Sequence, residues 1–165
     1  MVLDGVDLSS SRLQRLSVVD VRVTGGSLAN VAGRGSRWVR VELSDARLTG
    51  LDLPEADLRD VVLRGCRADL TSFARARLER VRFEGCELAE ADFQGADLRE
   101  VRFVDCDLTR ADLRGARLRT CELRGVRLDG MQGVDRLRGA ALPIADVIDN
   151  AVTLATALGV RVLDD

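Results

Sequence analysis

Apolar side chains return along this chain every five residues. Stepping by five from Leu3 to Leu128, 26 consecutive positions hold 17 Leu, 4 Phe, 2 Val, one Trp, one Ala and one Gly. Every Phe (73, 83, 93, 103) and the single Trp (38) fall on this beat. Two residues before each such centre the chain is again apolar or small, with eight Val, seven Ala and all four Cys. The residue just before the centre is mostly charged, as at Asp57, Arg77, Asp97 and Arg117, and the two after it are polar or Gly. Neither a 3.6-residue helix nor an alternating strand keeps a five-residue pattern on one face over such a length. The backbone must therefore turn every five residues, with the centre and the residue two before it inside and hydrogen bonds running between successive windings. The pattern predicts an all-β solenoid whose core arises from stacking.

Turn chemistry agrees with this frame. Ten of the fifteen Gly lie two residues after a centre, where a turn asks for positive φ, and Pro54 stands just before such a site. Residues 26–40 depart most from the pattern: Gly26 and Gly33 occupy inward positions, and Trp38 is expected to fill the space they leave. Ala68 is a similar thin spot, with Leu70 as its expected compensator. The frame runs over 1–130 and dissolves at Met131-Gln132-Gly133, leaving 131–165 as a C-terminal cap. There the 3 and 4 spacing of apolar residues predicts a short amphipathic α-helix near 143–158, with Pro143 at its start and Gly159 just past its end. Val160 to Leu163 alternates like a short terminal strand. The apolar stripe of the helix suits covering the last coil, whose open strand edges need closure, or pairing with a copy of itself. At the other end Leu3 is already in frame, and no cap is evident.

Composition narrows the chemistry. The 165 residues, 46% apolar, fit one domain, and 25 basic against 27 acidic residues leave a net charge of −2, with no global pull toward nucleic acid or an anionic membrane. All the basic residues are Arg; Lys, His and Tyr are absent, which removes imidazole bases, Schiff-base lysines and phenolic acids together. No catalytic residue, cofactor or metal site is expected. The four Cys, spaced 20, 20 and 15 apart, match no zinc pattern and read as small buried apolar groups. The absence of a signal-peptide pattern and of any 18-residue apolar run leads to a cytoplasmic expectation. Arg37, Asp57, Arg77, Asp97 and Arg117 alternate in sign at 20-residue steps, which predicts a surface ion-pair ladder.

The segments Ala56-Asp57-Leu58-Arg59-Asp60, Ala91-Asp92-Phe93-Gln94-Gly95, Ala96-Asp97-Leu98-Arg99-Glu100 and Ala111-Asp112-Leu113-Arg114-Gly115 resemble the A(D/N)LXX motif of the pentapeptide-repeat family. That resemblance implies a right-handed quadrilateral β-helix with 20 residues per coil and about six and a half coils, roughly 31 Å long. Such a coil stacks Phe73 on Phe93 and Phe83 on Phe103, on opposite walls, and makes Cys66, Cys86 and Cys106 one inward column between Ala46 and Val126. The ending is similar to those of MfpA- and Qnr-type members, which implies a homodimer through Ile144, Val147, Ile148, Ala151, Val152 and Ala155. The same resemblance implies DNA gyrase as a possible protein partner, met by an acidic, DNA-like surface. The nearest anionic stripe is Asp52, Glu55, Asp92 and Asp112, interrupted by Arg75 and Arg114. Over residues 1–130, 22 acids meet 22 Arg, whereas a duplex-like rod of this length needs on the order of 18 excess negative charges. The expectation is therefore a rigid, non-catalytic, homodimeric protein-interaction scaffold, with no direct nucleic-acid or membrane partner. A gyrase-binding DNA mimic that protects against fluoroquinolones is the alternative.

Overall fold

The five-residue beat becomes, in a computed structural model that describes residues 1–164, one wall and one corner of a parallel β-helix. The strands are β1 (Val2–Asp4), β2 (Ser17–Thr24), β3 (Arg37–Ser44), β4 (Asp57–Arg64), β5 (Arg77–Glu84), β6 (Asp97–Arg99), β7 (Arg102–Val104), β8 (Arg117–Arg119) and β9 (Glu122–Arg124). Each pairs in parallel with the strand one coil away, so that Val2 faces Arg22, Leu58 faces Leu78 and Phe103 faces Leu123, always 20 residues apart. The remaining walls are joined by single parallel bridges at the same step, from Asp7 and Ser27 to Asp112 and Gln132.

Every residue two after a centre, from Gly5 to Gly130, has positive φ, and sixteen of these corner residues are not glycine. Many corners are closed by the amide three residues past a centre donating to the centre's carbonyl, as Ala96 N–H does to Phe93 O at 3.0 Å. A left-handed conformation costs an L-residue roughly 1 to 2 kcal/mol, so the stacked interior must outweigh a penalty repeated at each non-glycine corner.

Inside, the centre and the residue two before it form one continuous apolar core. Phe73 and Phe93 stack at 5.2 Å between centroids, Phe83 and Phe103 at 5.0 Å, and the opposed walls meet edge to face at 5.8 to 6.2 Å. Aromatic rings favour both arrangements. Cys66, Cys86 and Cys106 form the expected buried column between Ala46 and Val126.

The thin spots are filled differently from expectation. Gly33 leaves room for Leu53 of the next coil, whose Cδ2 lies where a Cβ would stand. Trp38 instead packs beside it, its Nε1 donating to the buried Ser36 Oγ at 3.1 Å. Gly26 is not a gap: a Cβ there would overlap the backbone of Val6, so close coil-to-coil approach selects glycine. Leu70 does not compensate for Ala68. It is a corner residue with its side chain outward, and the buried Thr71 Oγ1 bonds the Ala68 carbonyl instead.

The repeat frame persists to Gln132, two residues beyond the expected limit. A 3-10 turn over Val134–Leu137 follows, and Ala141 returns to pair with Glu122, a step of 19 residues. The helix expected near 143–158 is instead two helices, α1 (Ile144–Asp149) and α2 (Ala151–Ala157), broken at Asn150 with φ −107°. Val160 to Leu163 is not a strand. The free edge of the last coil is already occupied by Ala141, Asp146 and Asn150, and the Val160 amide closes the end of α2 on Ala155 O.

Candidate functional site

Two features can recognise a partner: the C-terminal helices and the charged walls. Asp146 and Asn150 lie one helical turn apart, hence on one side of the helical segment, and that side faces the last coil. Asp146 Oδ1 accepts the Val126 amide at 2.8 Å, Asn150 Oδ1 accepts the Leu128 amide at 2.9 Å, and Asn150 Nδ2 donates to Val126 O at 3.0 Å. Both side chains are buried, and Asn150 reproduces the two bonds a further coil would make to Leu128 N–H and Val126 O, as Arg127 does to Leu108 N–H and Cys106 O. Half-buried Leu154 packs beside them against the core.

The apolar stripe consequently does not cover the coil, in contrast to one of the two roles its pattern suggested. Ile144, Val147, Ile148, Ala151 and Val152 all face outward, with Ile144 80% and Ile148 67% exposed, and only Ala155 of the predicted set is half-buried. Leu158, Val160, Val162 and Leu163, which follow in the chain, are exposed as well. The sequence signal for them was present, since Leu158 continues the helical spacing and the rest form one apolar run.

On the walls, Asp52, Asp92 and Asp112 share a column with Ala32, Ser72 and Gln132, whereas Glu55 occupies a corner. Glu55 is bonded by Arg34 and Arg75, and Asp112 by both ends of the Arg114 guanidinium. The Arg75 contact first, then Arg34, holds the Glu55 carboxyl below the usual carboxylate range, and Arg114 does the same to Asp112. Of the stripe, Asp52 and Asp92 alone are without an arginine partner among the described residues.

The ladder of Arg37, Asp57, Arg77, Asp97 and Arg117 is in register, but its members do not pair with one another. Asp57 binds Arg59 and Asp97 binds Arg119. Ion pairs between coils stand on other walls, as at Arg22–Glu42 and Arg64–Glu84, and at the adjacent corner, where Arg40 grips Asp20 and Arg80 grips Asp60, each through two nitrogens. These arginines hold the Asp20 and Asp60 carboxyls below their ordinary values. The surface is thus closely neutralised along much of its length.

Three of the four buried thiols are raised, while Cys106 is lowered by its contact with Cys86. The neighbouring sulfur and burial push Cys66 up, contact with Cys106 together with burial pushes Cys86 up to about 12, and burial raises Cys121. A thiol kept protonated is a poor nucleophile and metal ligand. Among the described residues no group of three or more metal-binding side chains converges, and no helix is long and apolar enough to cross a membrane. An apolar cavity of about 350 Å³ forms the mouth of the solenoid at its N-terminal end, walled by Leu3, Leu8, Leu13, Val18, Trp38 and their neighbours.

Comparison with known proteins adds the following. The model of the pentapeptide repeat region matches residues 36–113 and 76–135. HetL, a pentapeptide repeat protein involved in heterocyst differentiation regulation in the cyanobacterium Nostoc sp. strain PCC 7120, is 27% identical over 86% of this chain and 70% of its own, with a TM-score of 0.47. Full-length QnrB1, a plasmid-mediated fluoroquinolone resistance protein, is 14% identical over 97% of this chain and 100% of its own, with a TM-score of 0.44. A pentapeptide repeat protein of the Arabidopsis thaliana thylakoid lumen is 15% identical over 87% of this chain and 77% of its own, with a TM-score of 0.35. No curated protein matches the sequence.

Proposed function

The chain belongs to the pentapeptide-repeat family, and from that premise we propose that it is a rigid, non-catalytic scaffold that works as a homodimer through α1 and α2. One observation carries this reading. The polar side of the helical segment is spent on closing the last coil, while its apolar side, from Ile144 to Leu158, is left bare. A contiguous exposed apolar surface on a soluble protein marks an interaction site, and two copies related by a twofold axis would bury Ile144, Ile148 and Val152 against their equivalents. The walls then serve as the recognition surface of a stiff rod. Reduced, unpaired thiols accord with a cytoplasmic location.

Light scattering of the purified chain tests the reading. At concentrations low enough to leave only the helical contact populated, it predicts twice the 18.0 kDa chain mass, falling to that of a single chain for Ile148→Asp; a wild type that is monomeric at all concentrations would refute it. The gyrase-mimic alternative has weaker physical support, since Glu55 and Asp112 are already neutralised. It would require inhibition of DNA supercoiling that Asp52→Asn and Asp92→Asn abolish.

A further inference from the structure

The N-terminal coil is open in a way that singles out its occupant. One coil in, Ser27 and Ala32 direct both N–H and C=O at the first coil: Ser27 donates to Val6 O and accepts from Leu8 N–H, and Ala32 donates to Ser11 O and accepts from Leu13 N–H. Asp7 and Arg12 stand in register with these two residues, so their N–H and C=O point to the open side, where no backbone partner meets them among the described residues. Two such residues on facing antiparallel edges can exchange both backbone bonds. Leu3, Leu8 and Leu13 surround the cavity behind this edge and are only half-buried, unlike their equivalents in the middle coils.

The charges around the edge are arranged as their own complement. Asp4, Asp7, Arg12 and Arg15 form no ion pair among the described residues. They are placed symmetrically about the Ser9–Ser10 corner: Asp7 and Arg12 lie equally far along the chain on either side, as do Asp4 and Arg15. A twofold rotation about an axis in the plane of the coil and through that corner lays one wall antiparallel on the other. It sets Asp7 opposite Arg12 of a second copy and Asp4 opposite its Arg15. Opposite charges directly across an antiparallel pair are favourable, and like charges unfavourable.

We infer that the N-terminal coil is a self-complementary docking surface for the same coil of a second copy, with Asp7–Arg12 and Asp4–Arg15 contacts around an apolar centre. This surface is independent of the helical one. An isologous contact at each end of a rod does not close, so the intact protein would associate end to end into linear chains as its concentration rises.

Sedimentation velocity over a concentration series on the full chain carrying Ile148→Asp, which removes the helical contact, tests the inference. The expected result is a reversible equilibrium of one and two chains. Adding Arg12→Asp or Asp7→Arg alone should weaken it by roughly tenfold or more, because each symmetric interface meets the altered charge twice. Both together exchange the signs and should restore it, which simple misfolding cannot mimic; circular dichroism would confirm the fold of each variant. A single chain at all concentrations, or the same dissociation constant for the single and the double exchange, would overturn the inference and assign the edge to a different occupant. Failure of the helical dimer would show separately, as an Ile148→Asp protein indistinguishable from wild type.

Discussion

The two ends of this solenoid solve the same problem in opposite ways. A stacked coil leaves its last amides and carbonyls without partners, and an unprotected strand edge invites association. At the C-terminal end the Asn150 side chain stands in for the missing coil at Val126 and Leu128, and Asp146 bonds the Val126 amide beside it. At the N-terminal end the edge groups of Asp7 and Arg12 meet no backbone partner among the described residues, and the centre residues are only half covered. Closure here depends on hydrogen-bonding groups at the right register rather than on apolar cover. Because the polar side of α1 and α2 closes the edge, their apolar side is released for another partner.

This contrast orders the expected effects of substitution, each measurable by equilibrium unfolding in urea. Phe83→Ala, in the fully enclosed middle of the rod, should cost about 3 to 5 kcal/mol. Asn150→Ala leaves the Leu128 amide and the Val126 carbonyl buried without those bonds, and should cost about 2 to 3 kcal/mol. Leu8→Ala, the same repeat position at the open end, should cost only about 1 kcal/mol. If Leu8→Ala equalled Phe83→Ala, the N-terminal coil would not be open in solution. Leu70→Gly relieves a positive-φ corner whose side chain is 55% exposed, and should stabilise by about 0.5 to 1 kcal/mol.

Acid should act on both ends through the walls between them. Arginine partners lower the Asp20, Glu42, Glu55, Asp60 and Asp112 carboxyls in the folded chain. Depressed values of this kind contribute stability above the unfolded carboxyl range, near about 4, and lose it as pH falls through the folded values. No histidine is present, so the melting temperature should stay level between about pH 5 and 7 and fall below about 4. A marked change near pH 6 would contradict this.

The walls were legible in the sequence because geometry forces an inward residue at every fifth position, and the Phe73–Phe93 and Phe83–Phe103 stacks follow from the 20-residue coil. The corners at Arg75 and Leu70 were less so: glycine marks positive φ, but there stacking imposes it on residues that disfavour it. The ion pairs were misplaced, since Asp57 and Asp97 bind arginines other than the ladder's own, and the coils are bridged at other positions, among them Arg22–Glu42, Arg40–Asp20 and Arg80–Asp60. Asp146 and Asn150 escaped notice because a polar stripe on an amphipathic helix ordinarily faces water. No local pattern distinguishes a side chain that water satisfies from one that replaces a strand.

The most direct test of this division of labour at the C-terminal end is the molar mass of the chain with the N-terminal edge silenced by Arg12→Asp, with and without Ile148→Asp. The account predicts two chains for the first protein and one for the second, with unchanged circular dichroism. A single chain in both would mean that the bare face of α1 and α2 does not bind a second copy.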